Sequence, residues 1–392
     1  MSDFPHVLPA YTRAPIAFER GEGSWAIATD GTRYLDLGAG IAVNVLGHAN
    51  PDLVAVLTEQ AGRIWHVSNL YTIPEQEKLA DLLVGNSFAD TVFFTNSGTE
   101  AAELAIKMAR KCQDHAGQPE RVEILTFEGA FHGRSTGAIA AAGSEKMIRG
   151  FGPLMPGFRQ LPFGDMAALK SAIGDQTCAV MIEPIQGEGG IRQVADNDLR
   201  EIRELCEQTG TLLILDEVQS GMGRTGCLFA HEYSGIAPDI MMIAKGIGGG
   251  FPLGAVLATK AAAAGMIVGT HGSTYGGNPL ACAVGARVME IVANDDFLAE
   301  VIRKSGLLRQ KLEGLVNSYT DIFESTRGEG LMLGLKCRIA PADLVKAGYD
   351  QQILTVAAAD NVLRLLPPLN ISDEDIAEAV NRLDKAAEAL NG

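Results

Sequence analysis

TLLILDEVQ, residues 211–219, runs a short apolar stretch straight into two adjacent carboxylates. It is too short for a helix, and it leaves no polar alternation to give one face to water, so it predicts a strand buried on both sides. Such strands belong to parallel sheets covered by helices on both faces. In open sheets of that kind the ligand crevice lies at the C-terminal ends of the strands. Asp216 therefore falls where chemistry is done, although a strand-end carboxylate also serves as a cap or an ion-pair partner.

The same pattern recurs on either side. Apolar runs at Thr91–Thr95, Val122–Phe127, Ala179–Ile182, Asp239–Ala244 and Ala255–Ala258 alternate with helical stretches, the signature of β-α units around a mostly parallel sheet. Most runs end in polar or aromatic groups: Ser97, Gly98 and Thr99; Phe131, His132 and Arg134; Glu183; Asp216 and Glu217; Lys245. One shared site is expected. Near the N-terminus, WAIATDGTRYLDL predicts a hairpin over about 24–37, turning at Asp30-Gly31. Beyond about 290 the sequence is helix-rich, with a strand candidate GLMLGLKC and an amphipathic stretch from Glu374 to Leu390. The expected organisation is an N-terminal segment (1–50) packed with a smaller α+β C-terminal domain (291–392), and a large α/β domain (51–290) carrying the sheet.

Composition narrows the function. The chain has 392 residues, 47% hydrophobic and 20% charged, ordinary for a globular protein. No apolar run approaches a membrane span. The opening residues lack the basic region and apolar core of a secretory signal, so the cytoplasm is expected. The formal charge of −16 opposes binding to nucleic acid. Six scattered cysteines form no metal or disulfide pattern, and the seven histidines show no short metal-ligand spacing, so no metal site is expected. There is no G-x-S-x-G elbow.

Three motifs remain. In TNSGTEAAELAIKMARK, Ser97 caps a helix and Glu100 reaches back, with Ala101, Leu104, Ala105 and Met108 on one face. This is a common capping box, or a helix N-terminus that holds a phosphate on its amides. GMGRTG at 221–226 has dinucleotide-fold spacing but follows DEVQS and precedes no tight helix, so it reads as a flexible loop. In IAKGIGGGFPLG, residues 243–254, the lysine precedes the glycines, the reverse of a phosphate-binding P-loop. A strand-end lysine with a buried stem has a lowered pKa and is suited to Schiff-base chemistry; it can also simply snorkel to water. The glycines would leave room for a cofactor and a partner chain.

Phosphate-holding amides, a strand-end acid and a carbonyl-reactive lysine together describe a pyridoxal 5′-phosphate site. The chain resembles the class III (ω-amino acid) aminotransferases through GIAVNVLGHANP, NSGTEAAELAIKMAR, FHGRS, EPIQGEGG, LLILDEVQSGMGRTG, APDIMMIAKGIGGGFPLGA, HGSTYGGNPLA, RGEGLMLGL and VLRLLPPL. The blocks are ordered over nearly the whole length. The resemblance implies a fold-type I transferase and a homodimer with shared active sites. It also implies a donor that is an acylated ω-amino acid, N2-acetyl-L-ornithine, with 2-oxoglutarate as acceptor and arginine biosynthesis as the pathway. Free ornithine, succinylated donors and 4-aminobutyrate are the alternatives within the family. A decarboxylase, an aminomutase or a non-catalytic cofactor-binding regulator are those outside this activity.

Residue by residue, the resemblance makes Lys245 the covalent and proton-shuttling lysine, and Asp216 the partner of the pyridine nitrogen. Ser97, Gly98 and Thr99 would hold the phosphate, joined by Thr274 from the partner subunit. Phe131 and Val218 would sandwich the ring, and Gln219 would bind its phenolic oxygen, with His132 and Glu217 in the same set. Arg134 and Arg364 would clamp carboxylates. Glu188 would mask Arg364, Glu183 would support it, and Ser273 would contact the donor. Ala102, where the family often has asparagine, and the run STGAIAAAGSEK after FHGR are departures that touch no cofactor role.

Overall fold

A computed structural model describes residues 6–391. Its centre is a seven-stranded sheet. In spatial order the strands are Thr91–Thr95, Gly254–Ala258, Ile240–Ile243, Leu212–Asp216, Thr177–Ile182, Glu123–Phe127 and Phe158–Leu161. All neighbours run parallel except Gly254–Ala258, which is antiparallel to both of its neighbours. The connection that precedes it, residues 244–253, is shorter than the dozen or so residues a parallel crossover requires, so the chain turns directly back. That return leaves Lys245 and the residues after it at the edge where the parallel strands end.

Side-chain alternation assigns the two sheet faces. Ile214, Ile240, Met242 and Val256 point to one face, where Ala101, Leu104, Ala105, Met108 and Ala109 of helix Gly98–His115 cover them. The alanines let that helix lie close to the sheet. Val180, Ile182, Leu213 and Leu215 point the other way, against Leu199, Ile202 and Cys206 of helix Asp196–Thr209. Each fully buried leucine or isoleucine contributes about 1.5–3 kcal/mol relative to exposure.

The expected hairpin is present as Trp25–Ala28 and Arg33–Asp36, its turn tied by Thr32 N donating to Asp30 Oδ1 at 2.9 Å. It continues into a four-stranded sheet with Phe18–Glu22 and, in parallel, Ile353–Leu354. A further sheet, Phe323–Glu329, Met332–Cys337, Val362–Leu365 and Val356–Ala358, carries Arg364. The strand Phe158–Leu161 (FRQL) escaped sequence reading because an edge strand with two polar residues shows no apolar run. Among the described residues no helix is long and apolar enough to cross a membrane.

The GMGRTG segment differs from the flexible loop expected. All six residues are buried, with Arg224 and Thr225 fully so. Arg224 Nη1 donates to the carbonyls of Leu331 (3.0 Å) and Pro367 (2.6 Å), tying this loop to the C-terminal part of the chain. The glycines and polar residues that suggested mobility serve close packing instead.

Candidate active site

A cavity of about 410 Å³ opens at the C-terminal edge of the central sheet, in the range of small-ligand sites. Strand ends supply most of its wall: Ser97, Gly98 and Thr99; Phe131, His132 and Arg134; Glu183; Asp216, Val218 and Gln219; Lys245. Glu188 completes it from the loop after the Thr177–Ile182 strand. What matters is how the polar groups are held.

At the helix N-terminus, Ser97 Oγ accepts from Glu100 N at 3.4 Å. The Glu100 carboxylate reaches past Ser97 to Asn96, accepting from its backbone N at 2.5 Å and its Nδ2 at 3.0 Å. The amides of Gly98 and Thr99, in the first turn, have no acceptor within their own helix. Both residues line the cavity, and a helix N-terminus there favours negative charge. The Thr99 hydroxyl is committed elsewhere: it accepts from Arg134 N (3.0 Å) and Ser135 N (2.9 Å) and so fixes the 133–135 loop. A Cβ at Gly98 would lie 3.0 Å from Val218 Cγ1, so the glycine lets the helix start close beside Val218.

Asp216 is buried; its Oδ2 lies 2.7 Å from His132 Nδ1 and its Oδ1 accepts from Val218 N at 3.0 Å. Burial opposes the His132 imidazolium, but the Asp216 hydrogen bond and the charges of Asp216 and Glu183 outweigh it and raise the imidazole above its ordinary value. His132 Nε2 is buried and has no hydrogen-bond partner among the described residues. Glu183 Oε1 accepts from Phe131 N at 2.8 Å; burial, helped by the charge of Asp216, pushes its carboxyl up to about 7.

Arg364 is almost wholly buried, with Nη1 donating to Glu188 Oε1 at 2.5 Å and reaching Gln219 Oε1 at 3.4 Å. Glu188 reaches this pairing from a position a third exposed, whereas Arg364 lies in the interior. Arg134 is exposed, its guanidinium 5.6 Å above the Phe131 ring.

Lys245 sits at φ 49°, a left-handed conformation that costs a non-glycine residue about 1–2 kcal/mol. Strain of this kind persists where the surroundings dictate it. Burial, joined by the Arg364 charge and opposed by Glu188, pulls its amine down to about 8. At pH 7 about a tenth is then neutral, against roughly 0.03% for an ordinary lysine. We expect the rate of reductive methylation of Lys245 in the cofactor-free chain to rise with pH to a half-maximum near 8. Peptide mass analysis across pH 6–11 measures it, and a midpoint above 10 contradicts the assignment.

The structure also departs from the sequence reading. Glu217 does not face the cavity: its carboxylate accepts from Ala230 N (2.6 Å) and His231 N (2.9 Å) and lies 2.8 Å from His231 Nδ1. It is a fully buried structural anchor. Ser273 is off this cavity in its own chain; its Oγ accepts from Gly276 N at 2.9 Å and borders a separate pocket with Phe93 and His271, and Thr274, expected from the partner subunit, likewise does not line its own chain's cavity. The glycines after Lys245 mostly accommodate the chain's own side chains. A Cβ at Gly246 would meet Met222 and Val45 at 2.9 Å, and Gly250 alone among them lines the cavity. Sequence reading missed Val43, Ala244, Phe251, Pro252 and Leu253. The last four had a signal in their closeness to Lys245 across a forced turn.

A second wall was also illegible. Residues 39–42 form a left-handed turn, with Ala39, Gly40, Ile41 and Ala42 at φ 45°, 65°, 64° and 61°. Gly40 and Ile41 border an adjoining cleft that shares Phe131, Arg134, Glu188 and Lys245 with the cavity.

The family profile Aminotransferase class-III matches residues 7–387. The acetylornithine aminotransferase of Rhodobacter capsulatus is 69% identical over 384 residues, covering 98% of each chain. That of Mesorhizobium japonicum is 56% identical, over 97% of this chain and 95% of its own. Among solved structures, N-acetylornithine aminotransferase from Stenotrophomonas maltophilia superposes with a TM-score of 0.85 at 41% identity, covering 97% of each chain. The ornithine aminotransferase of Toxoplasma gondii gives 0.94 at 30% identity, over 98% of this chain and 93% of its own.

Proposed function

The chain belongs to the class III aminotransferases, and from that membership we propose that it transfers the terminal amine of N2-acetyl-L-ornithine to 2-oxoglutarate. The products are N-acetyl-L-glutamate 5-semialdehyde and L-glutamate, a step of arginine biosynthesis. We place the enzyme in the cytoplasm.

The cofactor of this family is pyridoxal 5′-phosphate, which supplies an electron sink for the carbanion formed beside the reacting amine. The residues present suit it. The Gly98 and Thr99 amides offer a phosphate seat, Val218 and Phe131 offer two apolar faces, and Asp216 offers a buried carboxylate already oriented by His132. Gln219, fixed beside Arg364, would donate to the phenolic oxygen. Lys245 would hold the cofactor covalently through its amine and, once freed from it, would carry the proton at the substrate carbon.

The pairing of Arg364 with Glu188 at 2.5 Å carries the donor class. With Glu188 in place, Arg364 is neutralised and the carbon bearing the amine need carry no carboxylate, as in an ω-amine donor. With Glu188 rotated out, Arg364 receives the carboxylate of 2-oxoglutarate beside the carbonyl that takes the amine. Arg134 holds the carboxylate at the far end of either substrate; guanidinium forks suit both tasks.

We infer a homodimer in which Ser273 and Thr274 of one copy complete the site of the other. Thr274 is exposed and flanked by the exposed apolar Ile267, Val268 and Tyr275, the kind of surface a second copy covers.

The half-reaction tests the proposal. N2-acetylornithine alone should convert the holoenzyme to its amine form at least about tenfold faster than ornithine or 4-aminobutyrate, a difference of roughly 1.4 kcal/mol. Added 2-oxoglutarate should then restore the starting spectrum. A preference for free ornithine overturns the donor, and turnover without 2-oxoglutarate points instead to a decarboxylase or aminomutase.

A further inference from the structure

The cleft beside the cavity is larger, about 660 Å³, and its chemistry differs from that of the cavity. Its charged lining residues are Arg134, Glu188 and Lys245, all shared with the cavity; the rest of its wall is led by Tyr11, Ile41, Ile139, Met147 and Phe151. Ile41 is held there against its own preference. A β-branched residue at φ 64° is a steric outlier, and its side chain remains 37% exposed, so core packing does not explain the conformation. The turn is fixed by Ile41 N donating to Gly38 O (2.7 Å) and Val43 N to Ala39 O (2.8 Å). Strain held by the surroundings and displayed towards a reaction site marks a wall with a task.

We propose that this cleft is the subsite for the donor's N-acyl group, and that Ile41, Ile139, Met147 and Phe151 select a short uncharged acyl over an anionic one or a free ammonium. The inference rests on the N-acylated ω-amine donor proposed above. Arg134 holds the donor's α-carboxylate, and N2 is bonded to the same α-carbon, so the acyl group must lie beside Arg134. The apolar wall beside Arg134 is that of the cleft. An acetyl methyl meets hydrocarbon there at no cost. A succinyl carboxylate would enter the same wall with Arg134 already engaged, and a free α-ammonium would lose water where the cleft's one carboxylate, Glu188, is already committed to Arg364.

The apparent second-order rate constants of the holoenzyme's donor half-reaction, without acceptor, with N2-acetylornithine, N2-succinylornithine, ornithine and glutamate test it, in wild type, Met147→Lys and Phe151→Ala. Phe151 is 66% exposed, so its truncation leaves the fold intact. We expect Met147→Lys to raise the succinyl-to-acetyl ratio by about tenfold or more, the size of one charge-assisted contact. Phe151→Ala should lower the preference for the acetylated donor over ornithine by several-fold. Glutamate, which has no acyl group, should be used unchanged within about twofold, since neither residue borders the cavity that holds the reacting carbon. If wild type prefers ornithine, the donor assignment fails and the subsite with it. If wild type prefers the acetylated donor but both variants keep its ratios, the donor assignment stands and the subsite is overturned.

Discussion

Replacing Lys245 with alanine is expected to abolish turnover, lowering kcat by on the order of 10³-fold or more, because one side chain supplies both the nucleophile and the proton carrier. Asp216, Gln219 and the Gly98–Thr99 amides are untouched by the change, so the cofactor should still bind through them. What disappears is covalent capture: borohydride should fix the cofactor to the wild-type chain and not to the variant. The substitution should not unfold the protein. It removes a cation that burial disfavours, while alanine keeps the Cβ and with it the cost of the left-handed φ, so thermal stability without cofactor should stay equal or rise through the lost charge alone. A variant with activity within tenfold of wild type, or one still fixed by borohydride, would remove Lys245 from the mechanism.

The sequence exposed the site's floor better than its walls, for physical reasons. Buried parallel strands are continuous apolar runs that end abruptly, and each abrupt end marks the crevice, which is how Asp216, Glu183 and Lys245 were found. Glu217 was misassigned through neglect of the pleat: it follows Asp216, and successive residues point to opposite sides. Its partner is His231, on the far side from His132. The Glu100 carboxylate overshoots Ser97 to Asn96 because the strand end curls over the helix start, a geometry that spacing does not encode. The left-handed turn at 39–42 was invisible for a stronger reason. Propensity argues against Ala39, Ile41 and Ala42 adopting it, so only the packed structure displays it. Arg224 shows the converse error. GMGRTG has the composition of a mobile loop, but its glycines admit Val292 and Ile302 side chains within contact distance, and the segment is core.

Asp216→Asn separates the charge of that residue from its shape. Asparagine keeps the volume, and its amide can still meet His132 Nδ1 and accept from Val218 N, the two contacts that orient Asp216 now. The lost element is the negative charge that would keep a proton on the cofactor's pyridine nitrogen. At about 4 Å and an effective dielectric of about 20 that attraction is worth roughly 4 kcal/mol, or about three pKa units, against about 1 kcal/mol in bulk water. The interaction acts only because Asp216 is 4% exposed; at a solvated position the same substitution would be nearly silent. The pyridine proton should therefore be lost near neutral pH, and kcat should fall by on the order of 10³-fold with cofactor still bound. The buried imidazole responds too. Without Asp216 the favourable charge on His132 is reduced to that of Glu183, so burial should dominate and the ring should turn neutral. Proton exchange of the His132 ring, followed by NMR in wild type and variant, reads that second effect without reference to turnover. A kcat within about tenfold of wild type would mean that the charge of Asp216 is structural, and that the proton on the ring nitrogen has another source.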